Sequence, residues 1–241
     1  MLKRSLSFLL IFSLLLGLAA CGAGGNSTTV HRGNGLDIKL TESTVERLAS
    51  DGNKDEGTET VTLKQVTITF SRLPENAEDV ALIDRTGENG KFITMALLIC
   101  AYKAWTPEDP DTCAEMMRLL MDSPVASNTY TAYTKQFVKD RMLQNSKWEY
   151  IADAYFDGST PENGYTPDKP ISITLREYPY LPQLSTSYGE EIYVDRVVTD
   201  FEGADTERMI SVYEDPKDRT WYIFSDTYGG LLADVKQPNT D

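Results

Sequence analysis

Histidine is nearly missing from this chain: one, His31, in 241 residues. Ser-His-Asp and Cys-His catalysis both need an imidazole to shuttle a proton. His31 lies in a Gly/Ser/Thr/Asn-rich segment, so neither mechanism is expected, and a zinc site built on several histidines is excluded on the same ground. Basic residues are also short, 23 Lys and Arg against 37 Asp and Glu, for a formal net charge of −14. An acidic surface repels phosphate backbones, so no nucleic-acid partner is expected. No Gly-x-Gly-x-x-Gly follows a strand-like run and there is no Walker loop, which leaves a nucleotide cofactor without support. Cysteine is scarce too, with three: Cys21, Cys100 and Cys113.

What is present begins with an address. Lys3 and Arg4 form a short positive region, and Phe8 to Leu18 is an apolar core broken only by Ser13 and Gly17. That core falls short of the ~20 residues of a permanent spanning helix and fits a cleavable signal peptide. Leu18-Ala19-Ala20-Cys21 follows it. This resembles the lipobox of bacterial lipoproteins, which implies transfer of diacylglycerol to the Cys21 thiol and cleavage before it. The division it implies is residues 1–20 as signal peptide and 21–35 as a lipidated N-terminus and flexible tether. The protein would sit on the extracytoplasmic face of the cell membrane, with the membrane as partner through the diacylglyceryl-cysteine. Two acyl chains anchor stably where one does not, at about 0.8 kcal/mol per buried CH₂. Cleavage removes Lys3, Arg4 and no acid, so −14 becomes −16.

Residues 36–241 read as an α+β domain, with 81–238 its best-patterned part. Leu36, Ile38 and Leu40 alternate with Asp37 and Lys39 as a short strand. Ser43-Thr44-Val45-Glu46 has the form of a capping box and predicts a short helix to about Ser50. Asp51 to Glu59 is a charged loop. Asp51, Asn53 and Asp55 match the first three ligand places of a calcium loop. Glu56 and Thr62 stand where that loop needs Gly and Glu, so a solvated turn is the better reading. Thr60 to Leu73 is a strand whose apolar phase slips at Lys64-Gln65, which predicts a β-bulge. Phe92 to Trp105 is apolar nearly all round and predicts a central core helix. Further helices are predicted from Asp111 to Asp122 and from Tyr130 to Leu143, and Trp148 to Phe156 is either strand or short helix. Strands follow at Ile171–Leu175, Glu191–Val198, Arg208–Glu214 and Thr220–Phe224, with a hairpin loop at Asp215–Arg219. Leu231 to Val235 closes the domain. A helical cluster followed by an antiparallel sheet, in a single domain, is the expected architecture.

The segments Tyr155–Pro167, Ile171–Tyr180, Trp221-Tyr222 and Leu231–Lys236 resemble an uncharacterised domain-of-unknown-function family of Gram-positive bacteria. The helices at Phe92 and Tyr130 belong to the same pattern. The resemblance implies one α+β domain and assigns no chemistry.

Three site expectations remain. Cys100 and Cys113 fall in helices joined by a short turn, and export permits a disulfide between them; two buried free thiols are the other reading. Tyr165, Tyr178 and Tyr180 lie on Pro-rich loops and suit contact with an envelope protein or a glycan, because rings offer area at low entropy cost; packing on the sheet edge is the other reading. No catalytic residue, metal or cofactor is singled out. The function expected is that of a non-catalytic binding module. The alternative is a wall or glycan hydrolase using a carboxylate pair.

Overall fold

The computed structural model describes residues 27–49 and 59–239. Cys21 and the Asp51-Asn53-Asp55 loop lie outside them. The chain opens on a hairpin, β1 (Ser27–Gly33) and β2 (Leu36–Ala49). Asn34 and Gly35 make its turn, with φ of 53° and 73°. Two successive left-handed residues are what a two-residue turn between right-twisted strands requires. Composition assigned Ser27–Gly33, with His31, to the tether; the segment is a strand paired with β2, His31 standing opposite Ile38.

β2 also corrects the helix expected at Ser43. It pairs with β3 (Glu59–Phe70) residue for residue from Ile38–Phe70 to Ala49–Glu59. Twelve cross-strand pairs in one register outweigh a local capping box, which satisfies only two backbone donors. The same register runs straight through Lys64-Gln65, opposite Thr44 and Ser43. The expected bulge is therefore absent.

Four helices come next: α1 (Ala77–Ala81), α2 (Gly90–Lys103), α3 (Pro110–Met121) and α4 (Ala132–Leu143). α2 is the predicted core helix, buried from Gly90 to Tyr102. A β-carbon on Gly90 would stand 2.0 Å from the Arg85 carbonyl oxygen and 2.4 Å from the Trp221 ring. Asp109 caps α3, its side chain accepting from the Thr112 N–H. Thr131 and Thr134 cap α4 reciprocally. Two 3-10 turns, Gln144–Glu149 and Asp153–Tyr155, occupy the stretch read as strand or short helix.

The remaining strands are β4 (Ser172–Glu177), β5 (Gln183–Ser185), β6 (Ile192–Thr199), β7 (Arg208–Glu214) and β8 (Trp221–Ile223). A 3-10 turn at Thr227–Leu232 follows them. Among the described residues the eight strands form one antiparallel sheet in the order β1-β2-β3-β4-β6-β7-β8, with β5 also on β6. The fold is thus α+β, but strands precede the helices as well as follow them. The helices are an insertion between two neighbouring strands, β3 and β4. α2 lies across the sheet and touches β3, β4, β6, β7 and β8. No described helix is long and apolar enough to cross a membrane.

Candidate binding groove

β4 runs out at its C-terminal end. Arg176 faces Val198 and Glu177 faces Val197, and the Tyr178 N–H still reaches the Arg196 carbonyl. Pairing on the same edge of β6 resumes with Gln183 opposite Val194. From Arg176 to Gln183 is seven residues, and from Val198 to Val194 is four, so three residues are looped out. The sequence dictates where: Pro179 and Pro182 have no N–H to give to a ladder. Tyr178–Pro182 therefore leaves the sheet. β3 pairs with β4 only from Gln65 to Thr69 and runs on past this point. The loop, Leu63, Lys91, Glu177 and Asp195 enclose a cavity of about 320 Å³. Leu63 is buried there. That burial is the cause of the phase slip at Lys64-Gln65: Leu63 is covered by the loop, while Val66, Ile68 and Phe70 are covered by the main core.

The floor of the groove is ionic. Lys91, in the first turn of α2, places its Nζ 2.8 Å from Glu177 Oε1 and 2.8 Å from Asp195 Oδ2. The other oxygens are also engaged: Glu177 Oε2 accepts from the Lys64 N–H at 3.2 Å and Asp195 Oδ1 from the Arg196 N–H at 2.7 Å. Burial pulls the Lys91 pKa down, and the hydrogen bonds to the two carboxylates more than offset it, so its pKa stands above the ordinary lysine value. Lys91 is an ammonium at any physiological pH. A carboxylate pair for glycoside hydrolysis needs one acid that keeps its proton in an apolar setting. The two acids facing this groove share an ammonium, which is the reverse of that setting.

The rim is aromatic and aliphatic. The Tyr178 and Tyr180 rings lie 5.0 Å apart, and the Arg196 guanidinium sits 5.1 Å from the Tyr178 ring centre. Leu181 is 88% exposed on this rim, and Leu184 and Tyr193, paired with each other on the β5–β6 strands that follow, are exposed as well. Large apolar side chains gathered and left in water mark contact surfaces.

Tyr178 and Tyr180 are thus brought together at one groove. Tyr165 is not with them. It is 2% exposed, stacked on Tyr150 with ring centres 5.8 Å apart, and its hydroxyl donates to the Lys236 carbonyl at 2.9 Å. Burial pushes its pKa up to about 12. Tyr165 is a core residue, and its expected ligand contact is corrected. Cys100 in α2 and Cys113 in α3 are free and buried, the second of the two readings given for them, and burial raises the pKa of both thiols. Sequence reasoning missed Lys91, Glu177, Asp195 and Leu63. The signal for Lys91 was its position, a charge opening an uncharged apolar run; the signal for Leu63 was the phase slip. No group of three His, Cys, Asp or Glu suited to a metal occurs among the described residues.

Residues 72–239 match the model of a protein family described as a domain of unknown function, DUF6935. The match begins after β3, so the N-terminal three strands lie outside it. No curated protein and no solved structure matches the chain.

Proposed function

We propose that this chain, which belongs to the DUF6935 family, is a lipid-anchored binding module on the extracytoplasmic face of a cell membrane. The anchor is Cys21, after the run Leu18-Ala19-Ala20. The binding surface is the groove at Tyr178–Pro182. One observation carries the reading: two prolines break the β4–β5 strand and put a rim of exposed Leu and Tyr side chains over a cavity. The loop covers Leu63, but its own apolar groups that stand in water gain nothing for stability there and are suited to contact. The placing of Lys91 between Glu177 and Asp195 favours binding over hydrolysis.

Two measurements test this. Cys21→Ser moves the protein from the membrane fraction to the soluble one and blocks incorporation of labelled fatty acid. Tyr180→Ala leaves the anchor intact and lowers photo-crosslinking of the groove to envelope components. Membrane retention of the serine variant removes the anchor from the proposal, and unchanged crosslinking removes the groove.

A further inference from the structure

The groove has an open backbone edge as well as an apolar rim. In an antiparallel strand the N–H and C=O of alternate residues point to the same side. The Phe70 N–H goes to the Ile171 carbonyl, toward β4, which fixes the even-numbered residues of β3 as the ones facing that side. At Lys64 the main-chain partner is gone and the Glu177 carboxylate takes the N–H instead. Thr62 and Thr60 continue the even series. Their N–H and C=O groups face the place where β4 has turned away, and no described strand pairs with them there. Proteins normally blunt such edges with Pro, Lys or a bulge. Thr60-Val61-Thr62-Leu63 has none of these and consists of residues that favour strands.

Charge indicates the partner. Glu59 stands exposed at the head of this edge, and Glu177 and Asp195 line the floor against the single charge of Lys91. Of the other cations at hand, Arg196 lies on the Tyr178 ring and Lys64 is shared by two further acids, Glu42 and Glu88, so the acids outnumber the bases here. The whole chain carries −14. A second copy would bring the same charge to the same edge, which disfavours self-pairing.

We infer that the groove takes an extended basic peptide segment of a partner protein, added as a strand to β3 at Thr60 and Thr62, with an apolar side chain set against Tyr180 and Leu181. The inference rests on the reading of the groove as a binding site and names its occupant. Main-chain pairing supplies affinity in such additions, and side-chain pockets supply selectivity.

The test uses the protein with two synthetic twelve-residue probes, alternating Lys-Val and alternating Glu-Val, and a soluble N-acetylglucosamine oligomer. The Lys-Val probe should bind, slow amide exchange at Thr60 and Thr62, and leave Ile68, already paired with Ile173 of β4, unchanged. Thr62→Pro removes one edge N–H without changing charge or the β2 ladder, and should weaken this probe by about tenfold or more. Its unfolding midpoint is measured in parallel, and Tyr180→Ala, at an exposed site, provides an independent arm with a loss in the same direction. The inference is overturned by no binding of the Lys-Val probe, by equal binding of both peptides, or by binding that neither substitution weakens. Protection of the same amides by the glycan alone, or by self-association, also overturns it while leaving the groove as a binding site. If no probe binds and envelope crosslinking is unaffected by Tyr180→Ala, both readings fall.

Discussion

Lys91 is the residue on which the groove depends. Its ammonium is shared by Glu177 and by Asp195, the latter nearly buried. Replacing it with Met keeps the stem and removes the charge, leaving two carboxylates facing each other over an apolar helix. Removing one partner of a buried pair costs about 3–5 kcal/mol. Glu177 retains some access to water, so the loss for Lys91→Met should fall at about 3 kcal/mol, read as a lowered urea midpoint with an unchanged slope. A loss under about 0.5 kcal/mol would mean that the carboxylates are solvated in solution and that the floor is open. Cys100 and Cys113 give a second test at this scale. Both are buried and free, with pKa values raised by burial, and the thiolate is the reactive form. A thiol reagent should label neither in the native protein and both in denaturant, and reductant should leave the melting temperature unchanged. Protection of both in denaturant until reductant is added would show a disulfide.

At the level of elements, the tightest joint is the start of α2. Gly90 is hemmed in by the Arg85 carbonyl and the Trp221 ring, each within 2.4 Å of where a β-carbon would lie. The Arg85 backbone and β8 are themselves tied, since the Trp221 N–H donates to the Arg85 carbonyl at 3.1 Å. Gly90→Ala must therefore push β8 or α2 aside, at a cost of about 1–3 kcal/mol and at the upper end because a backbone atom is the obstacle. Thermal unfolding reads it, and an unchanged or raised melting point would show that this joint yields. Lys91 is the next residue, so the same substitution should also loosen the groove. Elements differ in how far their sequences disclose them. α2 was legible because an uncharged apolar run of that length can only be buried. The strands from β6 to β8 were legible because their alternation is local. β2 was legible only over Leu36–Leu40, since Ser43-x-x-Glu46 is a helix signal whose rival, the pairing with β3, lies beyond the charged loop. β1 hid behind its composition, although Asn34-Gly35 is a strong hairpin pair. β5 has three residues and no periodicity to detect. The groove was half legible: the Tyr178–Pro182 loop stood out by its prolines and rings, whereas Lys91 and Asp195 meet only after the helical insertion folds back on the sheet. Tyr165 misled because a tyrosine in a turn-rich loop looks exposed; its backbone is left-handed, with a φ of 55°, and its ring stacks on Tyr150 inside the core.

The whole molecule combines a large negative charge with many buried phenols, and the two act together at high pH. Tyr155, Tyr213, Tyr130 and Tyr102 all have pKa values raised by burial, as do Cys100 and Cys113. Tyr165 and Tyr222 are raised to about 12, and Lys91 stands above its ordinary value. A group whose folded pKa exceeds its unfolded one contributes its stability in full below the unfolded value and loses it as pH rises through the folded one. Unfolded thiols titrate near 9.0 and phenols near 10.0. Stability should therefore hold level through neutral pH, begin to fall above 9.0, and fall steeply beyond 10.0. Self-repulsion from a charge of −14 works in the same direction as phenolates form. Salt separates the two contributions. Screening at about 1 M, where the Debye length is ~3 Å, suppresses repulsion between surface charges and leaves the desolvation of a buried phenolate in place. Melting temperatures measured across this range at low and high salt should keep most of the alkaline decline in high salt, with tyrosinate absorbance appearing together with unfolding. If high salt abolishes the decline, net charge governs it, and the tyrosines are not sealed in the core as the structure places them.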